Sequence, residues 1–231
     1  MLIGGAACDI LFTASASEFR ATRDLDMVLI VEALSVEFAE KFGEFIEAGN
    51  YRNKSTGTDL PQFYRFDKPE NIQFPKMIEL FARTDLVLKE MNGLTPLHID
   101  DEISSLSAIL LNDDYYQLLL EGRVVVNELS VLRPEYLILF KARAYLDLKR
   151  RKESGMHIDS RDIKKHKNDV LRILSGFVLA PSSLLSELVR HDIAEFVEAV
   201  YQDPYDKNQL KQFGITNEFV VERLRNLYAI S

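Results

Sequence analysis

The feature that most constrains the fold is a stretch in which two aspartates lead into an apolar run, Asp24-Leu25-Asp26-Met27-Val28-Leu29-Ile30-Val31. A run rich in β-branched residues predicts a buried strand. Because successive side chains on a strand alternate between its faces, we expect Asp24 and Asp26 on one face, with Cα atoms about 6.6–7 Å apart. Two carboxylates at that spacing suit Mg²⁺, which completes its coordination with water and substrate phosphates. An isolated Asp-X-Asp is more often only a solvated turn, so its interpretation depends on the neighbouring sequence.

Upstream of this stretch, Gly4-Gly5 precedes a segment of small and apolar residues. We predict that residues 1–3 end a strand, that the glycines form a tight turn and that a short helix covers residues 6–15. The free N–H groups and the positive dipole end at the start of such a helix form a binding site for phosphate. A glycine pair, a helix and an aspartate pair in this order are more informative than any of them alone.

The run Gly4-Gly5 … Arg20-X-Thr22-X-Asp24-Leu25-Asp26 resembles the nucleotidyltransferase superfamily with the DNA polymerase β-like fold. It is most similar to the AbiEii-type branch, which is found in abortive-infection and toxin–antitoxin systems. The resemblance implies that Gly4 and Gly5 hold a nucleoside triphosphate (NTP) and that Asp24 and Asp26 bind Mg²⁺ or Mn²⁺. In this superfamily a third acid on a neighbouring strand usually completes the site.

Two further positions of the motif precede the aspartates. Arg20 and Thr22 are expected to fix the entry to the metal-binding strand, and we assign Thr22 to nucleotide binding. Arg20 is equally well explained as a surface charge. Family members usually carry a helix before the first strand, so we expect that this helix is missing here or that the start is truncated.

The candidate for the third acid is Glu79. Residues 62–66 and 75–82 are predicted strands, and the residues between them include a turn at 67–71. Glu79 is the single acid in the second strand, where a buried carboxylate would be costly unless paired or bound to metal. Asp67 is the competitor, but it belongs to the turn and lies close to a proline.

The next part of the chain is predicted to extend the sheet. Residues 105–111, 116–120 and 123–127 are apolar and strand-like, and Asn112-Asp113-Asp114 is predicted as a turn between the first two. Two aspartates at a hairpin tip are usually solvated, so we do not interpret them as a second metal site.

Pro134 then begins a long predicted helix that ends near Arg151, with proline in its favoured first position. The resemblance implies that Lys141, in the middle of this helix, faces the nucleotide phosphates; otherwise it is a solvated charge. The basic cluster at residues 149–152 either caps the helix, where cations favour the dipole, or contacts an acceptor RNA.

A second helix is predicted from Ser160 as N-cap through residue 174. The family has a comparable charged segment, which implies that Lys165 and Asp169 face the active cleft. His166 is either a base or, more commonly for such a residue, a surface histidine. Helices over residues 182–191, 193–201 and 217–230 follow and carry no chemical motif.

Composition limits the class of protein. The 231 residues allow one or two domains, and the 47% of hydrophobic residues can form a sizeable core. The sequence has no apolar run of about 18 residues, no signal peptide and a single cysteine, which favours a reduced, cytoplasmic protein. The net charge of −8 argues against sequence-blind binding of nucleic acid.

We therefore expect an α/β (α+β) fold, with a mixed-sheet nucleotidyltransferase core at residues 1–130 and a helical domain at 131–231. The expected reaction is Mg²⁺-dependent transfer of a nucleoside monophosphate (NMP) from an NTP to tRNA, a protein or a small molecule. The expected partners are the NTP, the acceptor and, for a toxin, an antitoxin protein, with no membrane. The alternative is a catalytically degenerate protein of the same fold that acts through interactions.

Overall fold

A computed structural model of the protein describes residues 1–15, 24–28, 36–53, 63–81, 112–181 and 185–230. These residues belong to two compact units. Unit 1 comprises residues 1–111 and 123–132, and unit 2 comprises residues 112–122 and 133–231. The domain boundary that we expected after residue 130 puts segment 112–122 in the first domain. The structure groups this segment with unit 2.

The described strands of unit 1 form one mixed sheet of seven strands in the order β3-β4-β5-β2-β1-β7-β6. The pairs β2–β5 and β1–β7 are parallel and the other pairs are antiparallel. A mixed sheet with helices confirms the α+β class. The strands are β1 (Leu2–Ile3), β2 (Asp24–Val28), β3 (Arg52–Asn53), β4 (Phe63–Asp67), β5 (Met77–Phe81), β6 (Arg123–Val126) and β7 (Leu129–Leu132).

Helix α1 (Gly4–Ala14) follows β1 directly. The predicted helix at residues 6–15 is confirmed, although it begins two residues earlier, at the glycines themselves. Its first two turns bury small residues, which allow α1 to pack against β1 and β2. The absence of bulky side chains here brings the start of the helix close to the sheet.

Helix α2 (Val36–Gly49) packs on the sheet of unit 1 through Phe42, whose ring lies 5.8 Å from that of Phe66 on β4 in an edge-on arrangement. At the end of α2 the residue with a positive φ is Asn50, at 46°, and not Gly49. Gly49 is needed for another reason. A β-carbon there would lie 2.5 Å from the ring of Tyr51, so close packing, not backbone conformation, favours glycine.

The apolar face of the central strands is set by the register. Leu25, Ile78 and Phe66 are opposite one another on β2, β5 and β4, and both Ile78 and Phe66 are fully buried. Because side chains alternate, the residues on either side of these three occupy the other face. The charged positions of the three strands, including both aspartates of β2, belong to that second face.

The described residues of unit 2 form helices that pack mainly on a long central helix, α4. None of the helices in the described part of the chain is both long and apolar enough to cross a membrane. The helices are α3 (Asp113–Glu121), α4 (Pro134–Glu153), α5 (Ser160–Gly176), α6 (Glu187–Gln202), α7 (Lys207–Phe213) and α8 (Asn217–Tyr228).

The prediction of a turn and a strand at residues 112–120 was wrong. The Asn112 side chain accepts hydrogen bonds from the N–H groups of Asp114 (3.0 Å) and Tyr115 (3.3 Å), which makes it the N-cap of α3. Asp113 and Asp114 lie in the first turn, where negative charge favours the helix dipole. The predicted strand at 105–111 lies outside the described residues.

Three helix predictions for unit 2 need smaller corrections. The N-cap of α5 is Asp159, which accepts from the N–H of Arg161 at 2.8 Å, and Ser160 is the first helical residue. The two helices predicted at 182–191 and 193–201 are, within the described residues, the single helix α6. Helix α7 was not predicted, since its few apolar residues give no clear helical period.

Candidate functional site

The two aspartates of β2 lie on one face of the sheet, as the alternation of a strand requires. Both are partly exposed, and Val28, two positions after Asp26 on the same face, is buried. The pair therefore occupies the solvent-accessible start of a strand whose end enters the core. This is where carboxylates can reach both a cation and a substrate.

Glu79 lies directly beside Asp26. The two residues are register partners on the parallel strands β2 and β5, so their side chains share a face and their backbones are about 4.8 Å apart. Glu79 is 5% exposed. A nearly buried carboxylate next to another carboxylate is costly unless a cation or hydrogen-bond donors compensate it.

Asp67, the competing third acid, is farther from the aspartate pair. It is the register partner of Met77, which in turn is the partner of Asp24. Asp67 is therefore on the same face but two strands away, at about 10 Å from the backbone of Asp24. The backbone geometry favours Glu79 over Asp67 as the neighbour of the pair.

The glycine turn lies against the same carboxylate. Ile3 is the antiparallel partner of Asp26, and Gly4 follows it with φ +64°, a conformation that favours glycine. A β-carbon on Gly4 would lie 1.9 Å from Asp26 Oδ2. Gly4 thus allows both the turn into α1 and the close approach of Asp26 to the start of this helix.

The start of α1 has the character of a phosphate site. Its N-cap residue, Ile3, supplies no side-chain hydrogen bond to the helix, so the first N–H groups are not capped by that residue. Gly5 is buried and adds no side chain. Backbone N–H groups at a helix start, next to carboxylates that can hold a cation, provide the two elements that a nucleotide phosphate requires.

In unit 2 the structure pairs two residues that the sequence singled out separately. Lys141 Nζ lies 3.0 Å from Asp169 Oδ2, and both side chains are buried. Arg172 lies 3.6 Å from the other carboxylate oxygen of Asp169. Lys141 is therefore not the solvated charge that a mid-helix lysine usually is. Its contact with phosphates stays a prediction, as do the placement of Lys165 and Asp169 at a cleft and the role of His166 as a base.

The basic cluster at the end of α4 is engaged in local ion pairs and hydrogen bonds. Arg150 pairs with Glu195, and Arg151 Nε lies 2.8 Å from Asp147. Lys152 donates to the hydroxyl of Ser160. These contacts favour the interpretation as a helix terminus over that as an RNA contact. Arg20 and Thr22, the remaining motif residues, lie outside the described residues.

Unit 2 contains a buried polar network that was not predicted from the sequence. Asp192 accepts a hydrogen bond from Tyr115 (2.9 Å) and pairs with Arg143 (2.7 Å), and it is 1% exposed. Burial, and next the charge of Asp192, raise the pKa of the Tyr115 phenol well above its usual range. A signal was present, because Asp192 interrupts the apolar stripe of α6. The network holds α3, α4 and α6 together.

The donor set of β2 and β5 fits Mg²⁺ by its chemistry. Mg²⁺ prefers carboxylate oxygens and commonly takes only one or two from the protein, with water and phosphate oxygens for the rest. Asp26 and Glu79, with Asp24 at the next position on the face, offer this set. Within the described ranges no group of three or more His, Cys, Asp or Glu side chains is arranged to hold a metal ion by itself.

Comparisons with protein families, curated proteins and solved structures gave no match to this chain.

Proposed function

We propose that the protein is a nucleotidyltransferase that moves an NMP from an NTP to an acceptor. The observation that carries this proposal is the contact of Gly4 with Asp26, beside which Glu79 lies in register. A helix start can bind a phosphate and a carboxylate pair can bind a metal ion, so their proximity supports a site in which both act on one phosphate group. The motif resemblance to AbiEii-type nucleotidyltransferases supports the same function.

The proposed transfer is a displacement at the α-phosphorus. The acceptor hydroxyl oxygen forms a bond to this phosphorus, the bond to the bridging oxygen breaks, and pyrophosphate leaves. The hydroxyl proton passes to the carboxylate of Glu79. Asp24, Asp26 and Glu79 would hold Mg²⁺ or Mn²⁺, which when bound neutralises the triphosphate and makes the acceptor hydroxyl more acidic.

The residues of the glycine turn position the triphosphate. N–H groups of Gly4 and Gly5 and the start of α1 donate hydrogen bonds to phosphate oxygens at a fixed distance from Asp26. Thr22 is proposed as a further phosphate ligand. Donors that are fixed before the substrate binds need no reorganisation during the reaction, which is the main source of catalytic electrostatic stabilisation.

The test is transfer of labelled NMP in Mg²⁺ by the full chain. Asp24→Asn and Asp26→Asn keep the shape of the side chain but remove its charge, and we expect either to abolish transfer. Asp67→Asn is the matched control, since this aspartate is on the same face two strands away. Equal incorporation by all four proteins would refute the assignment.

The acceptor is to be found by a screen of the four NTPs against tRNA, proteins and small molecules. If the wild-type protein binds NTP in a Mg²⁺-dependent way but transfers to no acceptor, a missing partner such as an antitoxin or an untested acceptor is the next target. If it neither binds NTP nor depends on Mg²⁺, the degenerate interaction protein replaces the enzyme.

A further inference from the structure

The sheet of unit 1 ends on one side in a strand with an open apolar edge. Among the described strands, β6 is the last in the sheet order, and it pairs with β7 in a register without a bulge. Three of its four residues are valines, and Val125 is 59% exposed. Edge strands commonly avoid association through lysine, proline, a bulge or very short length. The described strand at the other end, β3, is short and polar, whereas β6 has neither lysine nor proline.

The hydrogen bonds at the start of β6 show which of its backbone groups point outward. Arg133 N–H donates to the carbonyl of Gly122, the residue before the strand, at 2.8 Å. In an antiparallel ladder hydrogen-bonded pairs alternate with pairs that are not hydrogen-bonded. Val124 is therefore hydrogen-bonded to its register partner on β7, and Val125 is not. The N–H and C=O groups of Val125 point away from β7, toward the open edge.

The outward groups of β6 are complementary to those of a second β6. If two copies pair antiparallel about a two-fold axis at Val125, the N–H of this residue in each copy donates to its C=O in the other. The exposed valine side chains then lie side by side, and cross-strand pairs of β-branched residues stabilise a sheet.

The charges next to this strand fit the same arrangement. With the axis at Val125, Arg123 of each copy is opposite Asn127 of the other and therefore close to Glu128. Arg123 and Glu128 are both exposed and carry opposite charges. A two-fold axis forms this contact twice, so the edge is complementary to itself in backbone hydrogen bonds, apolar surface and charge.

We propose that β6 is a dimerisation edge and that it pairs with the β6 strand of a second copy of this chain. Such a contact uses the same edge of both copies, so the assembly closes at two chains and does not grow into a filament. The alternative occupant is an extended segment of another protein, which would add a strand to the same edge. The dimer does not require nucleotidyl transfer, so it can form whether or not the protein is an enzyme.

The experiment combines sedimentation equilibrium of the full chain, up to about 1 mM, with amide hydrogen exchange followed by NMR. We expect the mass to rise toward that of two chains as the concentration increases. The Val125 N–H should exchange about tenfold more slowly in the dimer, because only there is it hydrogen-bonded. The Val124 N–H is the internal control, since its bond to β7 makes its exchange slow at every concentration.

Two sets of variants test the contacts at the axis. Val125→Lys brings two like charges together and should weaken dimerisation by about tenfold or more. The matched control is Val178→Lys, which makes the same change at a fully exposed valine of unit 2 and should leave the dimer unchanged. Arg123→Glu should also weaken the dimer, and its combination with Glu128→Arg should restore it.

The outcomes decide between this edge and other possibilities. A wild type that stays monomeric over the whole range overturns the proposal, and so does a dimer in which the Val125 N–H exchanges as fast as in the monomer. If the double charge reversal does not restore dimerisation, the two-fold pairing at Val125 is wrong. If Val125→Lys does not fold by circular dichroism, the exchange of the wild-type Val125 N–H decides. Nucleotidyl transfer by the aspartate variants is scored independently and tests only the proposed function.

Discussion

Replacement of Gly4 by alanine tests the contact on which the proposed site depends. The β-carbon of alanine would lie 1.9 Å from Asp26 Oδ2, whereas β-carbons in proteins essentially never approach a heavy atom closer than 3.0 Å. The difference of 1.1 Å is the least by which the carboxylate or the turn must move. In addition, alanine at φ +64° is in the left-handed region, which costs about 1–2 kcal/mol.

These numbers predict two separate effects. A shift of about 1 Å in a catalytic group can reduce the rate by about 100-fold, or about 2.7 kcal/mol in the activation free energy. The backbone cost alone lowers the melting temperature by about 2–8 °C for a chain of this size. We therefore expect Gly4→Ala to remain folded at 20 °C, to melt earlier and to lose nearly all nucleotidyl transfer.

The matched control is Gly43→Ala in α2. A β-carbon at Gly43 meets no atom within 4 Å, and alanine is favoured over glycine inside a helix by about 1 kcal/mol. This variant should melt slightly later and transfer at the wild-type rate. The assays are thermal unfolding by circular dichroism and incorporation of labelled NMP. A Gly4→Ala variant that melts and transfers like wild type would refute the inferred contact.

Three further predictions concern unit 2. Lys141→Met leaves the buried carboxylate of Asp169 without its closest cation and should cost about 3–5 kcal/mol in the free energy of unfolding, measured in urea. Tyr115→Phe removes a hydrogen bond to a buried carboxylate and should cost about 1.5–3 kcal/mol in the same assay, whereas no loss would show that this bond contributes nothing. Hydrogen bonds from Arg161 lower the pKa of Asp159 from 3.8 to about 2. Since the pKa is lower in the folded state, the stabilisation by this cap is complete above pH 3.8 and is lost as the pH falls through about 2. The melting temperatures of wild type and Asp159→Asn should therefore differ at pH 5 and converge near pH 2.

The sequence predicted the local features of unit 1 because each depends on a few consecutive residues. Alternation placed Asp24 and Asp26 on one face, and the position of a single acid in an apolar strand predicted the burial of Glu79. The register that makes Glu79 the partner of Asp26 was not predictable, because residues far apart in the chain have to pair. The strand face that the carboxylates occupy thus follows from neighbouring residues, whereas the alignment of Asp26 with Glu79 across two strands follows from the tertiary fold.

The errors at residues 112–120 arose from a local signal that was misinterpreted. The apolar residues of α3 are compatible with a strand or a helix, and the choice depended on Asn112, which was interpreted as a turn residue. An asparagine followed by two aspartates satisfies the requirements of a helix N-terminus equally well, because all three residues favour its N–H groups and dipole. Attention to capping would have corrected the prediction.

Lys141 and Asp169 show why a resemblance and a structure answer different questions. The resemblance implies that Lys141 faces the nucleotide phosphates and that Asp169 faces the active cleft, and the structure joins the two residues in a buried ion pair. Each partner compensates the buried charge of the other, so the pair is needed for the packing of α4 against α5 whether or not a substrate binds. The unfolding cost of Lys141→Met therefore cannot by itself identify a catalytic role, whereas loss of nucleotide affinity in a folded Asp169→Asn variant would indicate that the pair serves the substrate.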